Sequence, residues 1–316
     1  MSERKKISVV VPCFNEEENV IPMHDAITKE FAEQEILKKY DYDILYIDND
    51  SADDTRNRLR RLCAEDREHV KAIFNAKNFG QFNSPYYGML QAGGDIVISL
   101  ACDFQDPPEL IRDFVQGYEE GYRIVIGVKD KSSDPKLLYT FKKIYYRLVK
   151  KFSSCDQIEH FTGFGLYDRK FIDVLRELND PTPFLRGIVA ELGFKHKEIM
   201  YDQPKRRAGI TSNNFYSLYD AAMLGFTSYT KIGLRIATFA GAICSFISIL
   251  VALVYLVMKL IWWDRFAAGT APMLIGMLFL GSVQIFFIGI VGEYILAINQ
   301  RSMKRPLVVE DERINF

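Results

Sequence analysis

Two uncharged stretches near the C-terminal end constrain this chain more than any other feature. Residues 236–258 run 23 positions without a charged side chain, and residues 266–292 run 27. At about 1.5 Å of helical rise per residue, each exceeds the roughly 30 Å of a bilayer's hydrocarbon. Core helices of soluble proteins seldom run so long uncharged, so two membrane spans are expected rather than buried soluble helices. The link between them carries Trp262 and Trp263, suited to interfacial depth, and makes the pair a helical hairpin. Lys231 and Arg235 precede the first span; Arg301, Lys304 and Arg305 follow the second. The positive-inside rule then puts both flanks and both termini on the cytoplasmic face of the cell (inner) membrane. The start, residues 1–14, is no signal peptide, because its apolar run at 7–11 is too short.

Charge divides the chain sharply. Residues 231–300 hold six charges and residues 301–316 seven, leaving 32 basic and 36 acidic side chains in 1–230. The expected organisation is a cytoplasmic globular domain at 1–212 and a juxtamembrane interfacial helix at 213–231. Two spans follow within 232–300, at about 234–260 and 266–298, and then a cytoplasmic tail at 301–316. A net charge of −1 argues against a nucleic-acid partner, whose phosphates demand a basic surface. Five scattered cysteines with no C-x-x-C pair exclude a disulfide framework and a zinc site.

Within the globular part, short β-branched runs alternate with helical patterns. Strands are expected at 7–11, 44–47, 70–74, 95–100 and 123–128, and helices at 16–39, 53–68, 82–92 and 107–119. That alternation implies an α/β fold with a mostly parallel sheet, whose ligands sit at the carboxyl ends of the strands. The segments just past each strand are polar: Asn15 and Glu16, Asp48 to Ser51, Lys77 and Asn78, Asp103 to Asp106, and Lys129 to Lys131. They suit a polar, phosphorylated ligand. No G-x-G-x-x-G follows the first strand and no Walker A run occurs, so dinucleotide and P-loop sites are weak readings.

The run DFQDPPE at 103–109 is the most informative. Oxygen ligands at a strand end suit Mg2+ or Mn2+, which would also hold substrate phosphates and waters. Asp106 precedes Pro107 and stands three residues before Glu109, the pattern of an N-cap, a first-turn proline and a capping-box partner. The metal is therefore assigned to Asp103 with Gln105 assisting, and Asp106 to the cap.

With ISVVVPCFNEE at 7–17, DNDS at 48–51, KNFG at 77–80 and DFQDPPE at 103–109, the chain resembles the polyisoprenyl-phosphate glycosyltransferases. FLRG at 184–187, RRAG at 206–209 and GEY at 292–294 extend the resemblance over nearly the whole chain. It implies a GT-A nucleotide-sugar domain of glycosyltransferase family 2, of the bactoprenol-glucosyltransferase and dolichol-phosphate-mannose-synthase type. It further implies inverting transfer of one sugar from a nucleotide sugar to polyprenyl (undecaprenyl) phosphate, with Mg2+ or Mn2+. Glucose and N-acetylglucosamine, carried on UDP rather than GDP, are the sugars it implies. By position, Pro12, Asn15, Glu16, Asp48, Asn49, Lys77 and Asn78 would line the nucleotide. Asp103 would be catalytic through the metal, and Lys129, Lys131, Arg206 and Arg207 would hold the acceptor phosphate, Arg206 with a catalytic role.

Three positions depart from the family pattern. Ala101 stands where an Asp-x-Asp run has its first carboxylate. Phe164 stands where Thr-Gly-Asp-Phe places a proposed base, and GITS at 209–212 lacks two cations of the usual Gly-Lys-[Ser/Thr]-Lys run.

The acceptor side is argued from physics. Residues 136–152 carry Leu138, Phe141, Tyr145, Leu148 and Phe152 at helical spacing beside Lys143, Arg147 and Lys150. A basic helix with an aromatic stripe fits an anionic membrane surface, although an ordinary sheet-packing helix has the same pattern. A second interfacial helix is expected at 214–230. A processive polysaccharide synthase would need a channel and a Gln-x-x-Arg-Trp motif, which two spans and two linker tryptophans do not provide. A catalytically degenerate membrane scaffold is the alternative that the missing carboxylates keep open. Gly233, Ala237, Gly241 and Ser245 recur every four residues on the first span, a face that lets helices approach closely in lipid. The same face could pack within the chain against the second span, which carries Gly281, Gly289 and Gly292; the resemblance implies a homo-oligomer, up to a tetramer. Crosslinking in native membranes should trap species larger than a monomer, and a ladder that stops at monomer would refute the expectation.

Overall fold

The computed structural model describes residues 4–130, 158, 160–208, 215–229, 232–262 and 270–316. The expected basic helix at 136–152, with Lys131 before it, lies outside these residues, as do the 209–212 run and Trp263.

Eight strands form one sheet among the described residues. They are β1 (Lys6–Cys13), β2 (Asp41–Asp48), β3 (Val70–Asn75), β4 (Ile96–Ser99), β5 (Ile124–Lys129), β6 (Phe161–Asp168), β7 (His196–Tyr201) and β8 (Glu310–Ile314). Their order across the sheet is β7-β5-β6-β4-β1-β2-β3-β8. β1 pairs in parallel with β2 and β4, β2 with β3, and β5 with β7. Only β6 and β8 run against the rest, so six strands deliver their carboxyl ends to one rim.

The central strands are buried on both faces, which is why they read as unbroken apolar runs. Alternation then sorts their side chains: Val9 and Val11 join one core layer, Val10 the other. The first layer takes α1 (Val20–Glu33), α2 (Thr55–Glu65) and α4 (Leu110–Glu119). The second takes α3 (Gly80–Gln91), α5 (Arg169–Leu178) and α6 (Leu185–Glu191). Val20, Met23, Ile27 and Phe31 of α1 make a buried stripe at helical spacing. α5 starts on a built cap, the Asp168 carboxylate accepting from Phe171 N at 3.0 Å.

Several boundaries differ from expectation for identifiable reasons. α1 begins four residues late: Asn19 stands at the cap position but makes no side-chain cap, and its amide donates to Glu16 Oε2 (2.6 Å). Asp106 is not an N-cap: α4 starts at Leu110, Glu109 occupies the cap position, and no side chain caps it. β6 and β7 went unexpected because glycines interrupt one and the other opens on the polar run His196-Lys197-Glu198. The tail at 301–316 is also more than a tail. After the helix that ends at Ser302 the chain returns to the sheet, where β8 pairs antiparallel with β3 and Arg60 holds Glu312 at 2.7 Å.

α8 (Ile232–Ile261) and α9 (Thr270–Ser302) form the apolar pair, both long enough to cross a bilayer. Many of their described large apolar side chains are exposed, Phe239 at 69% and Ile285 at 72%, a surface soluble monomers rarely keep in water. α7 (Phe215–Tyr229) lies against α9, where Tyr219 Oη donates to Glu293 Oε1 at 3.0 Å and Arg301 donates to Ser228 Oγ at 3.1 Å.

Phe164 is a core residue of this fold. Its ring stacks edge-on against Phe114 (4.7 Å between centroids) and Tyr201 (5.6 Å). Gly127 on β5 makes the room, since a Cβ there would come within 2.7 Å of the ring. Gly127→Ala should therefore destabilise the chain by about 1–3 kcal/mol through overpacking. Phe164→Asp should cost about 3–5 kcal/mol or more, by cavity formation and burial of a charge. Thermal unfolding of the full chain in detergent checks both, and an unchanged midpoint for Phe164→Asp would contradict this packing.

Candidate active site

The parallel strands end in left-handed backbone where side chains must turn over the rim. Asn15 after β1 has φ 56°, Asp50 after β2 has φ 65°, and Phe104 after β4 has φ 62°. Asn and Asp tolerate this region, whereas a bulky Phe there is strained, a feature that clusters at functional sites. Asn15 stitches two rim loops together, accepting from Ala52 N at 2.8 Å while its own N–H donates to Ser51 Oγ. The turn at Phe104 is closed by Gln105 N donating to Asp103 Oδ1 at 3.0 Å.

Arg206, past β7, bridges two of these ends. Its guanidinium pairs with Glu16 Oε1, and its Nε lies 3.4 Å from Asp103 Oδ2. Glu16 is 6% exposed. Burial pushes its pKa above the ordinary glutamate value, while the Asn19 hydrogen bond and the Arg206 charge pull it back. Asp106 is buried beside them, accepting from Ala101 N at 3.2 Å and from Tyr201 Oη at 2.9 Å. Burial raises its pKa too, opposed chiefly by the positive charge of Lys129.

These groups line a cleft of about 360 Å3 that also takes in Pro12, Asn49, Ala101, Thr162, Gly163, Arg186 and Gln203. The structure thus brings together Pro12, Glu16, Asn49, Asp103, Gln105, Lys129 and Arg206 of the expected site. Asp48 sits beneath the rim, wholly buried, its Oδ2 accepting from Ser51 N at 3.2 Å. Burial lifts its pKa above the usual aspartate value, against hydrogen bonds from Ser51 and the charge of Arg56. Asn49 donates to Asn78 Oδ1 at 2.9 Å and accepts from Phe79 N and Asn75. Lys77 and Arg207 do not line the cleft; their cations lie over the rings of Phe79 and Phe104. Lys131 is outside the described residues. Tyr201 was missed by sequence reasoning, since a tyrosine 95 residues from its Asp106 partner leaves no local signal.

A wider groove of about 720 Å3 adjoins the cleft and shares Phe14, Asn49, Gly80, Gln81 and Phe82 with it. Its other wall comes from Met223, Leu224 and Thr227 of α7 and Glu293, Leu296 and Gln300 of α9.

No three His, Cys, Asp or Glu side chains among the described residues form a cage for a metal. The donor set fits a different arrangement. Glu16, Asp103 and Asp106 balance Lys129, Arg186 and Arg206, so the fully ionised cleft has no surplus positive charge to offer a diphosphate, which therefore needs a cation. Mg2+ or Mn2+ held by one carboxylate and completed by substrate phosphates and water suits Asp103.

An α/β domain with a carboxylate-bearing rim and a cleft at its parallel strand ends is the architecture of an enzyme that binds a polar ligand at its strand ends. The description "Glycosyl transferase family 2" matches residues 8–187, and the chain belongs to that family, with a GT-A-like fold and glycosyltransferase activity. It is similar to the bactoprenol glucosyl transferase of Shigella phage SfV, 32% identical over 98% of this chain and 99% of the relative. The prophage bactoprenol glucosyl transferase homolog of Escherichia coli K12 is 31% identical over 95% of this chain and 97% of the relative. Among solved structures, a mannosyltransferase from Pyrobaculum calidifontis, in complex with GDP-Man and Mn2+, aligns at 15% identity and TM-score 0.45. That alignment covers 95% of this chain and 88% of the other.

The two neighbouring aspartates should separate on mutation. Asp103→Asn should lower divalent-dependent sugar transfer roughly a hundredfold or more, because a carboxylate facing the diphosphate is lost. Asp106→Asn should instead destabilise the fold by about 1–3 kcal/mol, since one of its two buried donors loses its acceptor. Equal stability loss in both, read by thermal unfolding beside activity, would overturn the assignment.

Proposed function

We propose that this chain transfers a single sugar, with inversion, from UDP-glucose or UDP-N-acetylglucosamine to polyprenyl phosphate at the cytoplasmic face of the cell membrane. The observation that carries the reading is the continuity of the polar cleft with the groove walled by α7 and α9. A polar donor and an apolar acceptor must meet, and this groove leads from the rim to the helices able to enter a bilayer. The relatives named as bactoprenol glucosyl transferases support a lipid carrier as the acceptor. With α8 and α9 as spans, the return of β8 to the sheet keeps both ends of the hairpin on the domain's side. The proposed organisation is thus a cytoplasmic domain, the interfacial α7, two spans and a cytoplasmic C-terminal strand, in a homo-oligomer.

In this reading Pro12, Asn15, Glu16, Asp48 and Asn49 hold the nucleotide, with Asn78 behind Asn49. Asp48 Oδ1 is a buried acceptor without a partner among the described residues, and a nucleobase N–H would satisfy it. Asp103, with Gln105 beside it, would hold Mg2+ or Mn2+, which when bound supplies positive charge to the leaving diphosphate. Arg206 and Lys129 position the acceptor phosphate in line with the anomeric carbon; its oxygen forms the new bond as the nucleoside diphosphate departs. Phe164 offers no base, and this acceptor needs none. An alcohol must lose a proton as it attacks, whereas a phosphate monoester with a second pKa of about 6 is mostly dianionic at pH 7.

Radiolabelled nucleotide sugars supplied to membranes containing the full chain should label organic-extractable lipid. The rate should rise with pH through one ionisation near about 6, and Arg206→Ala should lower it by roughly ten- to a hundredfold. A second enzyme ionisation on the acid limb would overturn the self-sufficient phosphate. Inactivity with every sugar in the panel would leave the scaffold reading in its place.

A further inference from the structure

The C-terminal strand reaches the floor of the nucleotide site through one arginine. Arg56, in the first turn of α2, faces three carboxylates. Its guanidinium nitrogens lie 2.7 Å from Asp311 Oδ2, 3.6 Å from Asp48 Oδ2 and 3.8 Å from Asp50 Oδ1. Only the contact with Asp311 is a hydrogen bond. The Arg56 Nε that faces Asp48 has no hydrogen-bond partner among the described residues, and Asp48 Oδ1 likewise has none. The guanidinium also lies over the Phe74 ring, 5.3 Å from its centre, which limits where it can swing.

Asp311 is placed for this by an irregularity in the sheet. In the β3–β8 ladder Phe74 pairs with Glu312 and Asn75 with Glu310, so Asp311 is the extra residue of a bulge. Bulges re-aim a side chain and recur beside active sites. Both neighbours are occupied elsewhere: Glu312 holds Arg60, and Glu310 accepts from Tyr87 Oη at 2.8 Å.

We propose that Asp311 is a positioning residue for donor binding: it holds Arg56 off Asp48, so that Asp48 Oδ1, buried at the end of β2, keeps its acceptor capacity for a nucleobase N–H. This rests on the assignment of Asp48 to the nucleotide. A buried carboxylate would otherwise draw the nearest guanidinium into a two-bond pair, since charge-assisted fork contacts are the strongest it can make. An Asp48 closed in that way offers the base nothing. Asp311, competing for the same cation from the bulge, keeps Arg56 near enough to favour the ionised carboxylate and too far to bond it.

The test uses the full chain in detergent, titrated with UDP and with GDP, the tighter binder serving as probe. Asp48→Asn should weaken the probe about tenfold or more. If binding is unchanged, the assignment of Asp48 fails and this inference fails with it. If Asp48→Asn does weaken binding, Asp311→Ala should do so about fivefold, while Glu312→Gln on the same strand changes it less than about twofold. The deciding variant combines Asp311→Ala with Arg56→Gln. A glutamine cannot close on Asp48 as a cation, so the pair should recover most of the affinity lost in Asp311→Ala alone. A role limited to docking the strand predicts no recovery, and that result overturns the proposal. Should Asp311→Ala not fold, as thermal unfolding would report, Asp311→Asn with and without Arg56→Gln makes the same comparison.

Discussion

The site depends on the shared guanidinium of Arg206. It joins Glu16, at the end of β1, to Asp103, at the end of β4, from a segment that follows β7 on the far side of the sheet. Neither carboxylate is freely solvated, and an unpaired buried charge is costly, so the arginine offsets part of the cost of placing both at the rim. Asn19 contributes as well, donating its side-chain amide to Glu16 and to Ala208 O and so tying the end of β1 to the segment that carries Arg206. A bulky residue at positive φ, Phe104, turns the chain on the other side of the same bridge.

Behind that rim the sheet supplies rigidity. Four parallel strands, β4, β1, β2 and β3, are clad on both faces, and their ends cannot move independently of the two core layers. Tyr201 ties Asp106 to the end of β7, and Phe164 fills the space between β5 and α4 that Gly127 leaves. The rim therefore combines a packed apolar floor with a charged upper edge. That combination suits a reaction whose nucleophile arrives already ionised, because positioning and charge stabilisation are then what remain to be provided.

The second constraint joins the apolar helices to this scaffold at both ends. α7 leads into α8 after touching α9 through Tyr219 and Glu293, and the chain leaving α9 returns as β8. The groove between α7, α9 and the rim is thereby held to the sheet from two directions. Arg301 reinforces the join, pairing with Asp180 at 3.7 Å as well as with Ser228.

Much of this was legible in the sequence. Uncharged length announced α8 and α9, because a chain cannot hide such runs in a small soluble core. Unbroken β-branched runs announced β1 to β5, and their polar followers placed Glu16, Asn49, Asp103 and Gln105 at one rim before any coordinates, since parallel strands share a direction. What tertiary structure alone decided was pairing. The pattern around Asp106 reads locally as a helix cap, yet burial and Tyr201 claim its carboxylate. Lys77 reads as a nucleotide ligand and Arg207 as a phosphate ligand, yet each lies over a neighbouring ring outside the cleft. The residues from 310 to 314 carry no apolar run, and they become a strand only because the edge of β3 is there to receive them. Periodicity and charge are written along the chain, one residue after another. Which acid meets which base across 190 residues, as Glu16 meets Arg206, is set by the order of strands in the sheet.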